Sequence, residues 1–255
     1  MSVELCDSVT AEVVYGIHLQ SKPRWGLREL SLITGPYYSG DEHEQHFLRT
    51  IGSGSWYRSE FDELRFGKED MILQSIWFHV PEKSLSSDEL INEWRDLEPI
   101  DGLLRLKSSQ SFQLDPTEFR LMEPDGTLFM CVTQRAISEK DNRLRLRLAD
   151  DLDLLFANQC LCGWLLSNPS QYLVSSWEAP CINKPDSKFA ALLYEYLTLV
   201  VEPNVDRMEK GDTNILCALA DLQMRIGQVQ GSKDHRIVLH ESIDGIIKQF
   251  YSRKV

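Results

Sequence analysis

The apolar residues of this chain change their period once, and that change limits the fold more than any other feature. From Ala11 to about Leu166 they recur in short runs separated by turn residues, the pattern of antiparallel strands. After Pro185 they recur at helical spacing to the end. Parallel βαβ units would interleave the two patterns, and no such alternation occurs. Strands first and helices afterwards predict an α+β protein, with a mainly antiparallel sheet in residues 1–178 and a C-terminal layer of about three helices in residues 179–255. The best boundary between them is 178–188, which carries Pro180 and Pro185. A layer of that size cannot bury three apolar stripes by itself, so the two regions are expected to share one core as a continuous domain.

Within the strand region, Met71 to Val80 is rich in strand formers and is stopped by Pro81, which cannot donate to a ladder. Phe119–Met122 and Thr127–Thr133 flank Pro124-Asp125-Gly126, where proline presets the bend and glycine accepts a positive φ. Further strands are expected near Leu144–Leu148, Leu152–Phe156 and Leu161–Leu166, the last ended by Asn168-Pro169. One segment breaks the rhythm. Ser86-Ser87-Asp88-Glu89 has the form of a capping box, and Leu90, Ile91, Trp94 and Leu97 follow at helical spacing before Pro99, which predicts a short amphipathic helix over about 86–98. Among the later helices, Phe189, Leu192, Leu193, Tyr196, Leu197 and Val200 form the first stripe, which Pro203 is expected to end. Ile215, Leu219, Leu222, Ile226 and Val229 form the second, and Ile243, Ile246, Ile247 and Phe250 the third.

With 42% hydrophobic and 26% charged residues, the chain has enough apolar mass to fold throughout. Met1 to Asp7 shows no basic region followed by an apolar run, and no stretch of about 18 apolar residues occurs anywhere, so a cytoplasmic protein without a membrane partner is expected. Six scattered cysteines suit reduced thiols in that compartment. Against 27 Lys and Arg stand 39 Asp and Glu, a net charge of -12. Such a charge opposes nucleic acid and speeds encounter with a cationic partner, although solubility alone is the plainer account of it.

Motifs for chemistry are weak. His43 and His46 in Asp41-Glu42-His43-Glu44-Gln45-His46 are three apart where a zinc-protease helix needs four, so the stretch reads as a solvated polar turn, and no metal or other cofactor is expected. Cys160-x-Cys162 has no second pair to complete a zinc ribbon. Gly52-Ser53-Gly54-Ser55 lacks the frame of a nucleophile elbow or a phosphate loop and reads as a flexible turn. Asp150, Asp151 and Asp153 could hold a cation or tune a carboxyl, but strand alternation places Asp151 and Asp153 together on a solvent face. His18, His79, His235 and His240 stand at no triad spacing that can be read from the chain. No catalytic residue is assigned.

The helix from Asp88 carries six acids up to Asp101 (Asp88, Glu89, Glu93, Asp96, Glu98 and Asp101) against one base, Arg95. It is expected to show water a negative ridge. That ridge, with the acids near Asp150, is the candidate surface for a basic partner protein: Asp88, Glu89, Glu93, Asp96, Glu98, Asp150, Asp151 and Asp153. An enzyme using the carboxylates near Asp150 or a histidine, a hydrolase for instance, is the alternative, and the sequence does not decide an oligomeric state.

Several patches carry a likeness: Gly52 through Phe66, Val80-Pro81-Glu82, Asp150 through Asn158, and Cys162-Gly163-Trp164. Over about 50 residues in all, these resemble small bacterial immunity proteins that accompany polymorphic or Rhs-type toxins. The resemblance implies a non-enzymatic antidote that binds and blocks a cognate toxin.

Overall fold

The computed structural model describes residues 1–54, 62–183, 186–229 and 232–251. It is an α+β fold with two mainly antiparallel sheets and a C-terminal helical layer. The first strands are β1 (Ser2–Cys6), β2 (Val9–Tyr15), β3 (Arg24–Gly26) and β4 (Ser31–Thr34). A helix, α1 (Gly40–Arg49), precedes β5 (Thr50–Gly52), β6 (Glu63–Gly67) and β7 (Leu73–His79). Then come α2 (Asp88–Arg95), β8 (Ile100–Leu106), β9 (Phe119–Met122), β10 (Leu128–Val132) and a short α3 (Gln134–Ser138). The strand region ends with β11 (Arg143–Ala149), β12 (Leu152–Ala157), β13 (Cys160–Ser167) and β14 (Leu173–Val174). The helical layer holds α4 (Ser187–Leu199), α5 (Glu202–Glu209), α6 (Thr213–Gln228) and α7 (Lys233–Tyr251).

The larger sheet runs β1-β2-β8-β11-β12-β13-β10-β9. Because β1 also pairs in parallel with β13, at Glu4 opposite Cys160, its first six strands close on themselves. The smaller sheet runs β14-β3-β4-β7-β6-β5. Val3, Ala11, Leu104, Leu146, Leu154, Phe156 and Trp164 from the large sheet join Trp25, Phe66 and Ile76 from the small one in a single apolar cluster. The same cluster contains Phe189, Tyr196, Leu219, Leu222, Leu239 and Ile243 of the helical layer, so the helices bury their stripes against the strands. No helix among the described residues is long and apolar enough to cross a membrane.

The hairpin at Pro124-Asp125-Gly126 forms as the turn chemistry predicts, with Gly126 at φ +71° and Phe129 opposite Met122. Other sequence expectations change. Pro203 does not end the first C-terminal helix; Val200 does, and Pro203 sits in the first turn of α5, where a missing N–H costs nothing. The layer therefore has four helices among the described residues, not three. The 86–98 helix is shorter, and its cap is Ser87, whose Oγ accepts from Leu90 N at 3.2 Å. Leu90 stands where a box needs a glutamate, so Glu89 closes no capping box. Asp41 to His46 is no turn but part of α1, started by Ser39, whose Oγ accepts from Glu42 N. Gly52 is not loose either: it ends β5 at φ +133°, and a Cβ there would lie 2.0 Å from Leu64 O. Ser53 next to it bridges Phe112, while Ser55 and the following residues to 61, part of the resembling patch, lie outside the described residues, as does Pro185 of the boundary.

Candidate functional site

The acidic residues are positioned by how α2 docks. Leu90, Ile91 and Trp94 seat it on the outer face of the large sheet, against Leu121, Met130, Val132, Leu155 and Leu165. Strands covered in this way are buried on both faces, so polar residues on the outer face of β11 and β12 must find partners beneath the helix. Arg145 does so with both ends of its guanidinium. Its Nη1 donates to the carbonyls of Trp94, Arg95 and Leu97, at 3.2, 2.7 and 2.9 Å, and so satisfies the C-terminus of α2. Its Nε and Nη2 donate to Asp153 Oδ2 at 2.9 and 2.5 Å. Arg147 Nε donates to Asp153 Oδ1 at 2.8 Å.

Asp153 is thus completely buried between two arginines, not on a solvent face, and it cannot touch a partner directly. Asp151 is half-buried in the β11–β12 turn at φ +60°, where its Oδ2 accepts from Tyr172 Oη at 2.9 Å. Asp150 stays exposed beside it. The hydrogen bond to Asp153, with the charges of Asp151 and Asp101, raises the Arg147 pKa above its ordinary value. Asp101 lies directly opposite Arg147 in the β8–β11 register.

The ridge itself is not bare. Glu93 accepts from Arg143 Nη1 at 2.7 Å and from Lys140 Nζ at 3.1 Å, and Glu89 meets Lys140 at 3.1 Å. These partners arrive from 40 or more residues away in the chain, which is why counting charges along the helix finds only Arg95. The hydrogen bond from Arg143 holds the Glu93 carboxyl below the usual range. Half of the ridge is therefore compensated, and what remains open is its C-terminal end, Asp96 and Glu98, with Asp88 exposed at the start. Asp96, Glu98, Asp101 and Asp150 together border the strip around Arg147. No protein-family model, curated protein or solved structure matches this chain.

Histidine chemistry sits elsewhere, where α1 packs on the small sheet. His46 Nε2 lies 2.9 Å from Ser75 Oγ, the spacing of a nucleophile and its base. Ser75 is fully buried, however, so no substrate carbonyl can reach it. Burial first, then His43, Arg65 and Arg49, push the His46 pKa down to about 4, which leaves it a poor base near neutrality. His43 Nε2 lies 3.0 Å from Glu63 Oε2, with the rings of Tyr37 and Trp77 at 4.9 Å and Trp177 at 5.9 Å. His79 Nδ1 and its backbone N both reach Asp62 Oδ1, at 3.0 and 2.7 Å. These pairs tie α1 and β7 to β6.

Asp62 also lines a cavity of about 410 Å³ with Asp115, Thr117, Glu118, Arg135 and Trp164. Its acids Asp62 and Glu118 are engaged by His79 and by the backbone N–H of Gln134, and Arg135 by Glu139. Among the described residues no group of three or more His, Cys, Asp and Glu is arranged to hold a metal. Cys160 and Cys162 do not alternate simply, because the register shift between Leu155 and Phe156 inserts Cys162 as an extra residue, and burial pushes that thiol up to about 12.

His46 makes the stability pH-dependent with a definite sign. Its folded pKa of about 4 lies below the usual 6.5, so between those values the unfolded chain binds more protons and stability falls as pH drops. His46→Gln is expected to flatten the dependence of the urea midpoint over pH 6.5 to 4. An unaltered slope would locate the proton uptake elsewhere.

Two features escape a reading of the chain alone. Ser39-x-x-Glu42 is the sequence mark of the α1 start, with Glu42 Oε2 accepting from Tyr38 N at 2.6 Å. The alternation Arg143-Leu144-Arg145-Leu146-Arg147 puts three guanidiniums on one strand face and signals that carboxylates must meet them there.

Proposed function

We propose that this protein is a non-catalytic binder that receives a basic partner protein on the acidic strip formed by Asp96, Glu98, Asp101 and Asp150. One observation supports this above the rest: these exposed carboxylates border a single half-buried guanidinium, Arg147, whose charge Asp153 already matches. The strip therefore has negative charge to spare, and an incoming lysine or arginine would meet it without displacing an internal partner. Charge arranged in this way accelerates encounter and rejects wrong partners more than it adds affinity.

The resemblance to immunity proteins narrows the partner to a toxin that the chain neutralises, in the cytoplasm, by covering its working surface. The hydrolase alternative loses ground because Ser75 and Asp153 are buried and engaged.

Co-expression with the product of the adjoining gene tests the antidote reading. Rescued growth and tight co-purification are expected; toxicity unaffected by this chain would remove that reading. For the surface itself, the double change Asp96→Lys, Glu98→Lys is expected to slow association about tenfold at low salt and to weaken its salt dependence. Melting should stay unchanged, because both side chains are exposed. Glu93 is the wrong site for such a reversal, since a lysine there would face Arg143 and Lys140. Equal association rates for the double variant and the parent would exonerate the strip.

A further inference from the structure

Arg120 in β9 is 2% exposed, and among the described residues no carboxylate reaches it. Its Nη2 donates to the carbonyls of Leu197, at 2.9 Å, and Val200, at the end of α4. Its Nη1 has no acceptor. The negative end of α4 offsets only part of a full charge. Burial accordingly draws the guanidinium below its ordinary pKa. The contrast with Arg145, equally buried but matched by Asp153, shows what is missing at Arg120: a counter-ion.

Arg120 lines a cavity of about 330 Å³ with Ser84, Ser86, Ser87, Phe129 and Tyr194. The start of α2 forms another wall. Ser87 Oγ is occupied by Leu90 N, while the first backbone N–H groups of the helix, those of Asp88 and Glu89, have no intrahelical acceptor. A buried, incompletely bonded guanidinium and a helix N-terminus thus meet in one opening bordered by serine hydroxyls.

We propose that this cavity binds a small oxyanion, held by Arg120, the serine hydroxyls and the N-terminal amides of α2. Phe129 and Tyr194 leave apolar room beside it for a short organic portion. Asp88 also lines the opening and opposes the anion, which keeps affinity moderate. This inference is independent of the partner-binding strip, since it concerns a small ligand and a different wall of α2.

Titration of inorganic phosphate into the full chain by calorimetry is the test, with melting temperature followed in parallel. Saturable one-to-one binding with Kd of about 1 mM or tighter is expected, and a melting temperature that rises with phosphate. Arg120→Met should lose both responses. Because Arg120 also holds the end of α4, a second variant guards against simple unfolding. Ser84 bridges Arg120 directly, so Ser84→Glu tethers a carboxylate beside the guanidinium. It is expected to melt higher than the parent without phosphate and to ignore phosphate when it is added. Asp88→Asn should tighten phosphate about two- to fivefold. No saturable heat with the parent chain, or phosphate binding that is the same in Ser84→Glu and Asp88→Asn as in the parent, would overturn the proposal.

Discussion

Asp153→Ala is expected to lower the unfolding free energy by about 3–5 kcal/mol, the range for removing one member of a buried ion pair. The reason lies in what the change leaves behind. Arg145 is 5% exposed, and without Asp153 its guanidinium keeps only the carbonyls at the end of α2 as partners. Arg147 would lose its short contact as well. Asp153→Asn, which keeps an acceptor oxygen but no charge, should fall between parent and alanine. The double change Arg145→Met, Asp153→Leu should recover most of the loss, because it removes the unmatched charge as well as its partner. Urea unfolding of the four chains reads all of this. A loss below about 1 kcal/mol for Asp153→Ala would mean that water reaches Arg145 and that the site is not closed.

Trp94→Ala is the second large effect, about 3–5 kcal/mol for deleting a buried aromatic side chain. Trp94 is fully buried, it anchors α2 on the outer face of the sheet, and the Arg143 guanidinium stacks 4.7 Å above its ring. Its loss should loosen the helix as a unit, together with the acids that the helix carries. A double test separates stability from recognition. Trp94→Ala should weaken both folding and partner binding, whereas Asp96→Lys, Glu98→Lys should weaken binding alone. Thermal melts and association kinetics on the same samples check it; normal binding by a destabilised Trp94→Ala chain would detach α2 from the contact surface.

Both expectations concern residues whose meaning in the chain differs from their meaning in the fold. Asp153 reads along β12 as one of three clustered acids, and alternation with Leu152 and Leu154 sends it outward. It does point outward from the ring of strands, but α2 covers that face. Whether an outer face is wet depends on what a distant segment lays over it, and the period of a strand carries no such information. The ridge fails in the same way: Lys140 and Arg143 are remote in sequence and adjacent in space. The missed α1 is a different case. With no fully buried residue it has no core stripe to reveal it, and only its cap at Ser39 and Glu42 marks it.

What the order of residues determined by itself is local: the strand-to-helix change of period, the hairpin at Gly126, the two-sided α2 segment and the three long helical stripes. Each follows from spacing, turn geometry or capping within a few residues, and needs no other part of the molecule. The tertiary structure alone decided which charges are buried, matched or left over. It gave Asp153 to Arg145 and Arg147, left Arg120 without a carboxylate, and gathered Asp96, Glu98, Asp101 and Asp150 along one strip. The physical reason is that a charge's effect depends on its distance to other charges and to water, and folding sets both after the sequence is written.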